Sequence, residues 1–298
     1  MSEKKPRDLH IILAEDGSDH ARAASDLLLD LSLTPNSHID VVSVFNPTDP
    51  IDETELQHEL DQFAEPVKAS PIPFDTHLIP GHPAEIIVEY ADRIKPDLIA
   101  LGARGLHTTF GILLGGIAQQ VVEYANYPVL VVRAPYQGIK QVLLVVDGSE
   151  HNQRAVRYLC ASDEHGCFPF SREAIIQIVH VMEPVRIPAA SIQQVYMGPD
   201  LIIEKRLEAA AIRQSQLEQE GKYILSQASQ ALKASGAQTK TILLKGDPAE
   251  EILRYAENEK VDLIVAGSRG LSQVKSWLMG SVSRKLVHYA KCSVLIVK

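Results

Sequence analysis

The chain has 298 residues, a length that suits two domains of ordinary size, each able to bury its own core. Its composition, 45% hydrophobic and 22% charged, is that of a globular protein, and a formal net charge of −9 excludes a general nucleic-acid binder, which needs a basic face. No apolar run is long enough for a membrane span and the opening residues lack the apolar centre of a signal peptide, so a cytoplasmic protein is expected.

Taken in order, Leu9–Ala14 is an apolar run that reads as a strand, ending at Glu15-Asp16-Gly17-Ser18. Ala23, Leu27, Leu28 and Leu31 then recur at helical spacing, and Ile39–Phe45 returns to a strand pattern. Residues 47–75 are polar and proline-punctuated, with one helical stretch over Glu53–Ala69. A short strand at Phe74–Ile79 leads to Gly81-His-Pro-Ala-Glu85, where Pro83 suits the first turn of a helix running to about Ile94. Pro96–Leu101 is strand-like and opens into Gly102-Ala-Arg-Gly105, nine further residues, then Gly115-Gly116. A helix to Ala125 and a strand at Pro128–Val132 complete the first half, and residues 135–140 form a turn-rich linker.

The same order then begins again. Gln141–Val146 is a strand ending at Asp147-Gly148-Ser149-Glu150, which matches Asp16-Gly17-Ser18-Asp19. Gly81-His-Pro-Ala-Glu85 recurs as Gly246-Asp-Pro-Ala-Glu250, and the glycine loop as Gly267-Ser-Arg-Gly270, nine residues, then Gly280-Ser281. Long-range self-similarity of this kind marks a duplicated domain, here 1–134 and 140–298. The second copy is longer between residues 151 and 245. It carries a loop around Ser162–Arg172 and a stretch at 202–234, rich in Glu, Lys, Gln, Ala and Leu, that predicts one long amphipathic helix. That helix either packs on its own sheet or projects toward the first domain, another chain or a protein partner.

Alternating strands and helices imply a parallel sheet covered on both faces, with ligands beyond the carboxyl ends of strands where strand order reverses. The loop 267–281 runs from a buried strand, Val261–Ala266, into a helix start. Unpaired N–H groups at such a start suit an anion such as phosphate, and glycine lets the backbone approach it closely. A turn that merely needs glycine would show similar spacing, so the loop gains weight from its recurrence in both halves and from Asp147, which faces it if the first and fourth strands of this half are neighbours.

Together, Asp147-Gly-Ser-Glu-His151, His180-Val181 and Gly267-x2-Gly270-x9-Gly280-Ser281 resemble the universal stress protein family in its tandem two-domain form. The resemblance covers nearly the whole chain. It implies two doubly wound α/β domains, each a five-stranded parallel sheet of Rossmann-like, adenine nucleotide alpha hydrolase-like type, paired as a pseudo-dimer. It also implies a stress-response regulator or sensor that binds ATP, AMP or ADP. On that likeness Gly267, Gly270, Gly280 and Ser281 hold ribose and phosphates, while Val145, Asp147, Val181 and Ala266 line adenine and ribose. Val146, Arg269, Val282 and Ser283 complete the nucleotide site, and Asp147 lies near nucleotide-bound magnesium. The family often has proline where this chain has Val145. Asp16, Val44, Gly102, Gly105, Gly115 and Gly116 mark a weaker second site, because Gly116 replaces the motif serine and Glu15 adds a carboxylate.

Other chemistry is thinner. His180, at a predicted strand end, reads as a hydrogen-bonded histidine at a sheet edge, without a partner base or nucleophile. His82 and His107 sit near loops, and no His, Asp or Glu set shows metal-ligand spacing. Cys160, Cys167 and Cys292 read as free thiols, with a Cys160–Cys167 redox pair as the alternative. Arg104 and Arg269 lie between paired glycines, facing phosphate, the other half or solvent. Dedicated enzyme motifs are missing, which leaves slow ATP hydrolysis, or a scaffold for an apolar ligand or protein partner, as the alternatives to a nucleotide-binding regulator. In the regulator reading, nucleotide orders the 271–279 segment that holds Trp277, and a protein partner reads its conformation; a homodimer of the tandem chain is a separate expectation.

Overall fold

The computed structural model describes residues 8–47, 53–68, 70–105, 114–160, 174–185, 201–270 and 279–298. Its first half runs β1 (His10–Glu15), α1 (Asp19–Asp30), β2 (His38–Phe45), α2 (Glu53–Phe63), α3 (Glu65–Lys68), β3 (Phe74–Pro80), α4 (Pro83–Ile94), β4 (Leu98–Gly102), α5 (Gly116–Tyr124) and β5 (Val129–Val132). The second runs β6 (Gln141–Val145), α6 (Glu150–Leu159), β7 (Ile175–Met182), α7 (Leu201–Ala234), β8 (Gln238–Lys245), α8 (Pro248–Asn258), β9 (Leu263–Gly267), α9 (Ser281–Tyr289) and β10 (Ser293–Val297).

Both halves are doubly wound, with five parallel strands each, and they share a single ten-stranded sheet ordered β3-β2-β1-β4-β5-β10-β9-β6-β7-β8. The seam is the antiparallel pair β5–β10, where Leu130 lies opposite Leu295 and Val131 opposite Val294. Central strands are apolar on both faces because helices cover both sides. Side chains alternate between two core layers: Ile11, Leu13, Leu130 and Leu295 pack in one, and Ile12, Ala14, Val131 and Val294 in the other. Each layer draws residues from both halves, so the pseudo-dimer is fused through its core rather than only in contact.

Repeated positions lock the seam reciprocally. Arg133 Nη2 donates to the Val287 carbonyl at 2.9 Å, and Lys298 Nζ donates to the Val122 carbonyl at 2.6 Å. Each cation follows the seam strand of one half and satisfies a carbonyl in the helix of the other.

One element departs from the sequence expectation. The single helix over Glu53–Ala69 is two, α2 and α3, because Pro66 has no N–H with which to continue the ladder. Helix α7 spans 34 residues, about 50 Å at 1.5 Å per residue. From Gly221 onward it lies on the sheet, with Leu225, Ala228 and Leu232 buried; a Cβ at Gly221 would sit 2.8 Å from His180 and Leu243 side-chain atoms. Nearer its start, Leu207 and Ile212 are each 54% exposed, so only the later part of the helix packs on its own sheet.

Candidate nucleotide-binding site

In the second half β6 pairs with β9 on one side and β7 on the other, so strand order reverses between β6 and β9. The chain leaves β6 through Asp147 and turns at Gly148, whose φ of 82° favours glycine. Ser149 then caps α6, its side chain accepting from the Asn152 N–H at 3.3 Å. Asp147 is held by one oxygen: Oδ1 accepts from the Ser149 N–H at 2.8 Å and from Asn152 Nδ2 at 2.5 Å. Its other oxygen faces the glycine loop, since a Cβ added at Gly270 would lie 2.6 Å from Oδ2. Asn152 also bridges the crevice, accepting from the Gly267 N–H at 3.4 Å.

Across from Asp147, α9 begins at Gly280, which is extended and makes no side-chain cap. Its first intrahelical bond runs from the Arg284 N–H to the Gly280 carbonyl at 3.0 Å. The N–H groups of Ser281, Val282 and Ser283 therefore precede the ladder, at the positive end of the helix dipole. By contrast α1, α6 and α8 each begin with a side-chain cap, from Ser18, Ser149 and Asp247. Ser283 spends its hydroxyl on the Gly267 carbonyl at 2.7 Å, fastening α9 to β9, whereas Ser281 is exposed.

The glycines divide by role. A Cβ at Gly267 would lie 2.7 Å from the His151 carbonyl carbon and 2.8 Å from its oxygen, so glycine here lets α6 pack on β9. Gly102 does the same against His20 and Ala21 at 2.8 Å. Val145 and Ala266 are buried in one layer with Val181 packed beside them, the expected apolar wall. Val146 is buried in the opposite layer, and its carbonyl accepts from His180 Nδ1 at 2.8 Å.

The first half repeats the frame with fewer donors. A Cβ at Gly105 would clash with Asp16 Oδ2, as at Gly270 and Asp147, and Gly115 caps α5 as Gly280 caps α9. Val44 packs against the same core layer as Val181. Ala21 stands where the second copy has Asn152, and nothing lies within 4 Å of a Cβ at Gly116, so glycine there is not required by packing. Arg104 Nε donates to His20 Nε2 at 3.0 Å. His151, the counterpart of His20, keeps a buried Nδ1 without a partner among the described residues. For both histidines burial, aided by nearby arginine charge, pushes the pKa down and keeps the imidazole neutral.

Glu15 points to neither solvent nor the crevice. Alternation along β1 puts it on the side of Ile11 and Leu13, 8% exposed, with Oε1 accepting from the Gly17 N–H at 2.6 Å and Oε2 buried without a partner among the described residues. Burial pushes its pKa up to about 8, against which the Gly17 bond works only partly. Held as a neutral acid, it adds no charge against a phosphate at neutral pH.

Sequence spacing missed two features. Asn152 carries no motif signal, although it falls three residues after the capping Ser149, where its side chain returns to the turn. The absence of any metal-type His/Asp set is also corrected: His10, His38 and Asp40 bring their ligand atoms within 4.8 Å of one another across β1 and β2. His180 is hydrogen-bonded as expected but lies on an inner strand, since β8 is the edge. His82 precedes α4 as its N-cap residue. Cys160 is buried, and burial pushes the Cys292 thiol up to about 11, so neither is an activated nucleophile. Cys167, His107, Trp277 and the loop at Ser162–Arg172 lie outside the described residues. Among the described residues no helix is long and apolar enough to cross a membrane.

Removing the Asn152 side chain isolates what the tether is worth. Asn152→Ala should lower stability by about 1–3 kcal/mol, since it removes the bonds to Asp147 and Gly267 and leaves the Gly267 N–H unpaired, measured by denaturant unfolding.

Fold and repeated strand-end turns define a duplicated, doubly wound α/β protein. A family model described as Universal stress protein family matches residues 9–133 and again 138–298. The chain belongs to the universal stress protein family, and it carries two copies. Universal stress protein YxiE of Bacillus subtilis is 32% identical over 158 residues, which are 53% of this chain and 98% of that protein. A Thermus aquaticus universal stress protein, encoded in the QAH/OAS sulfhydrylase 3' region, is 35% identical over 161 residues, again 53% of this chain and 98% of the relative. The crystal structure of a universal stress protein from Archaeoglobus fulgidus matches 97% of this chain and 96% of its own, with a TM-score of 0.63 at 20% identity, which shows the shared fold.

Proposed function

We propose that the chain binds an adenine nucleotide, ATP or AMP/ADP, chiefly in its second domain, and serves as a stress-response regulator whose state follows occupancy. The domains in this reading are 1–134 and 140–298. One observation carries it: Asp147 Oδ2 and the Gly270 backbone face each other at the β6–β9 switch point, close enough that a Cβ would lie 2.6 Å from the carboxylate. Uncapped amides of Ser281, Val282 and Ser283 supply the phosphate end. Val145, Ala266 and Val181 supply an apolar wall for the base. Asp147 Oδ2 then serves a ribose hydroxyl or the magnesium ion that accompanies ATP. The first domain binds more weakly, because it lacks the Ser281 hydroxyl and the Asn152 tether.

Calorimetric titration of the full chain with Mg-ATP, ADP and AMP tests this reading. Asp147→Ala should weaken the main site more than tenfold. Ser281→Gly, which copies the first domain, should weaken it several-fold, the worth of one hydroxyl bond at about 0.5–1.5 kcal/mol. Absence of any adenylate binding at millimolar concentration would end the proposal. Phosphate release followed on the same samples separates a binder from a slow hydrolase, which alone would release phosphate above the blank and lose it in Asp147→Ala.

A further inference from the structure

A cluster of imidazoles surrounds one buried carboxylate at the other end of the first domain's sheet. His10 opens β1 and His38 opens β2, and the two are register partners. Asp40 lies two residues beyond His38 on the same face, and its own register partner on β3 is Asp75, two residues before His77. The parallel register therefore gathers His38-Ile-Asp40 and Asp75-Thr-His77 beside His10. Asp16 is six residues beyond His10, about 20 Å along an extended strand, so the cluster is well away from the crevices.

Its geometry is close. Asp40 is 4% exposed; Oδ2 accepts from His10 Nε2 at 2.6 Å and Oδ1 from His77 Nε2 at 2.7 Å. His38 Nε2 lies 3.6 Å from Asp40 Oδ1 and 3.2 Å from Asp75 Oδ2. Tyr90, from α4, places its hydroxyl 2.9 Å from His77 Nε2 and supports that ring. Side chains of His10 and His38 are 36% and 32% exposed, so an ion in solution can reach the pair without unfolding the sheet.

We propose that His10, His38 and Asp40 form a site for a borderline divalent transition-metal ion of the zinc class, with His77 as the positioning residue that holds the second oxygen of Asp40. Ligands of a tetrahedral zinc ion stand about 3.3 Å apart, given bonds of about 2.0–2.2 Å. Atoms already gathered within 4.8 Å reach that spacing by small side-chain rotations, with His10 relaxing outward and His38 closing inward. Imidazole nitrogen with one carboxylate selects zinc, cobalt, nickel or copper over magnesium or calcium, which prefer all-oxygen shells. Three protein ligands leave a fourth position for water. This site stands apart from the nucleotide reading and survives its failure.

The test uses the full chain, freed of metal with a chelator and titrated with zinc chloride, then with cobalt chloride as a spectroscopic probe. Expected are one tight zinc site per chain and cobalt absorption bands of tetrahedral intensity. His10→Gln and His38→Gln, both at partly exposed positions, should each weaken that site at least tenfold, and His77→Gln by less. His58→Gln, on the exposed face of α2, should change nothing. Melting without metal confirms that each variant folds, and zinc should raise the melting temperature of the parent and of His58→Gln but not of His10→Gln or His38→Gln. Failure of the parent to bind zinc, or unchanged binding in His10→Gln and His38→Gln, overturns the proposal and leaves a hydrogen-bonded network or adventitious surface binding.

Discussion

A Glu15→Gln variant should melt several degrees above the parent protein at pH 8 and lose that advantage near pH 4.5. Burial raises the folded-state pKa of Glu15 from 4.5 to about 8. Between those values the folded chain keeps a proton that the unfolded chain releases, so stability falls as pH rises. It is fully present below the unfolded value and is lost as pH climbs through the folded one. At about 1.36 kcal/mol per pKa unit, the loss from pH 5 to pH 8 is on the order of 3 kcal/mol. Glutamine keeps an oxygen for the Gly17 N–H and has no proton to lose. Denaturant midpoints at pH 5, 6.5 and 8 should slope for the parent and run flatter for the variant by that amount. Equal slopes would mean that Glu15 is ionised in the folded protein, against the burial of an Oε2 that has no partner among the described residues.

Why a protein should bury an acid at this point is a question of the fold. Its counterpart Val146 is an ordinary core residue, buried beside Ala155 and Leu159 in the same layer. Substituting a carboxyl for that valine costs stability at neutral pH but leaves the Asp16 turn intact, because Glu15 bonds within the same turn. The first domain thus keeps the strand-end turn of the second while the residue beneath it differs in chemistry.

Features that depend on local chemistry were legible in the sequence. Asp-Gly-Ser after an apolar strand specifies a turn and a helix cap, and it does so twice. Gly-Pro-containing helix starts and the glycine loops are local in the same sense, so fold class and the crevice frame could be read directly. Features that depend on which strand lies beside which could not. Val129–Val132 and Ser293–Val297 are nearly uniform apolar runs, and nothing in them distinguishes an outer strand from the antiparallel seam that joins the domains. His10, His38, Asp40 and His77 are scattered over three strands, and only the register assembles them. The side taken by Glu15 follows from counting alternation along β1, a signal present in the sequence once the strand's last residue is known.

Glycine shows the same limit most sharply, because one residue type serves two ends of a single motif, and substitution should separate them. Gly267→Ala should lower stability by about 1–3 kcal/mol, as an overpacked core does, since its methyl would meet backbone atoms of His151 and Asn152 at 2.7–3.0 Å. Those atoms belong to the first turn of α6 and cannot rotate aside, so α6 must lift from β9. Gly270→Ala meets only Asp147 Oδ2, the end of a side chain that can swing away at the loss of its bonds to Ser149 and Asn152. That variant should melt within a few degrees of the parent yet bind nucleotide at least tenfold more weakly, because its methyl displaces the carboxylate and fills the approach to the loop. Unfolding without ligand and titration with ATP, run on both variants, give four numbers with opposite patterns. A Gly267→Ala protein as stable as the parent would show that α6 does not rest on that strand end. A Gly270→Ala protein that binds as tightly as the parent would show that the ligand, if there is one, sits elsewhere than between Asp147 and the loop.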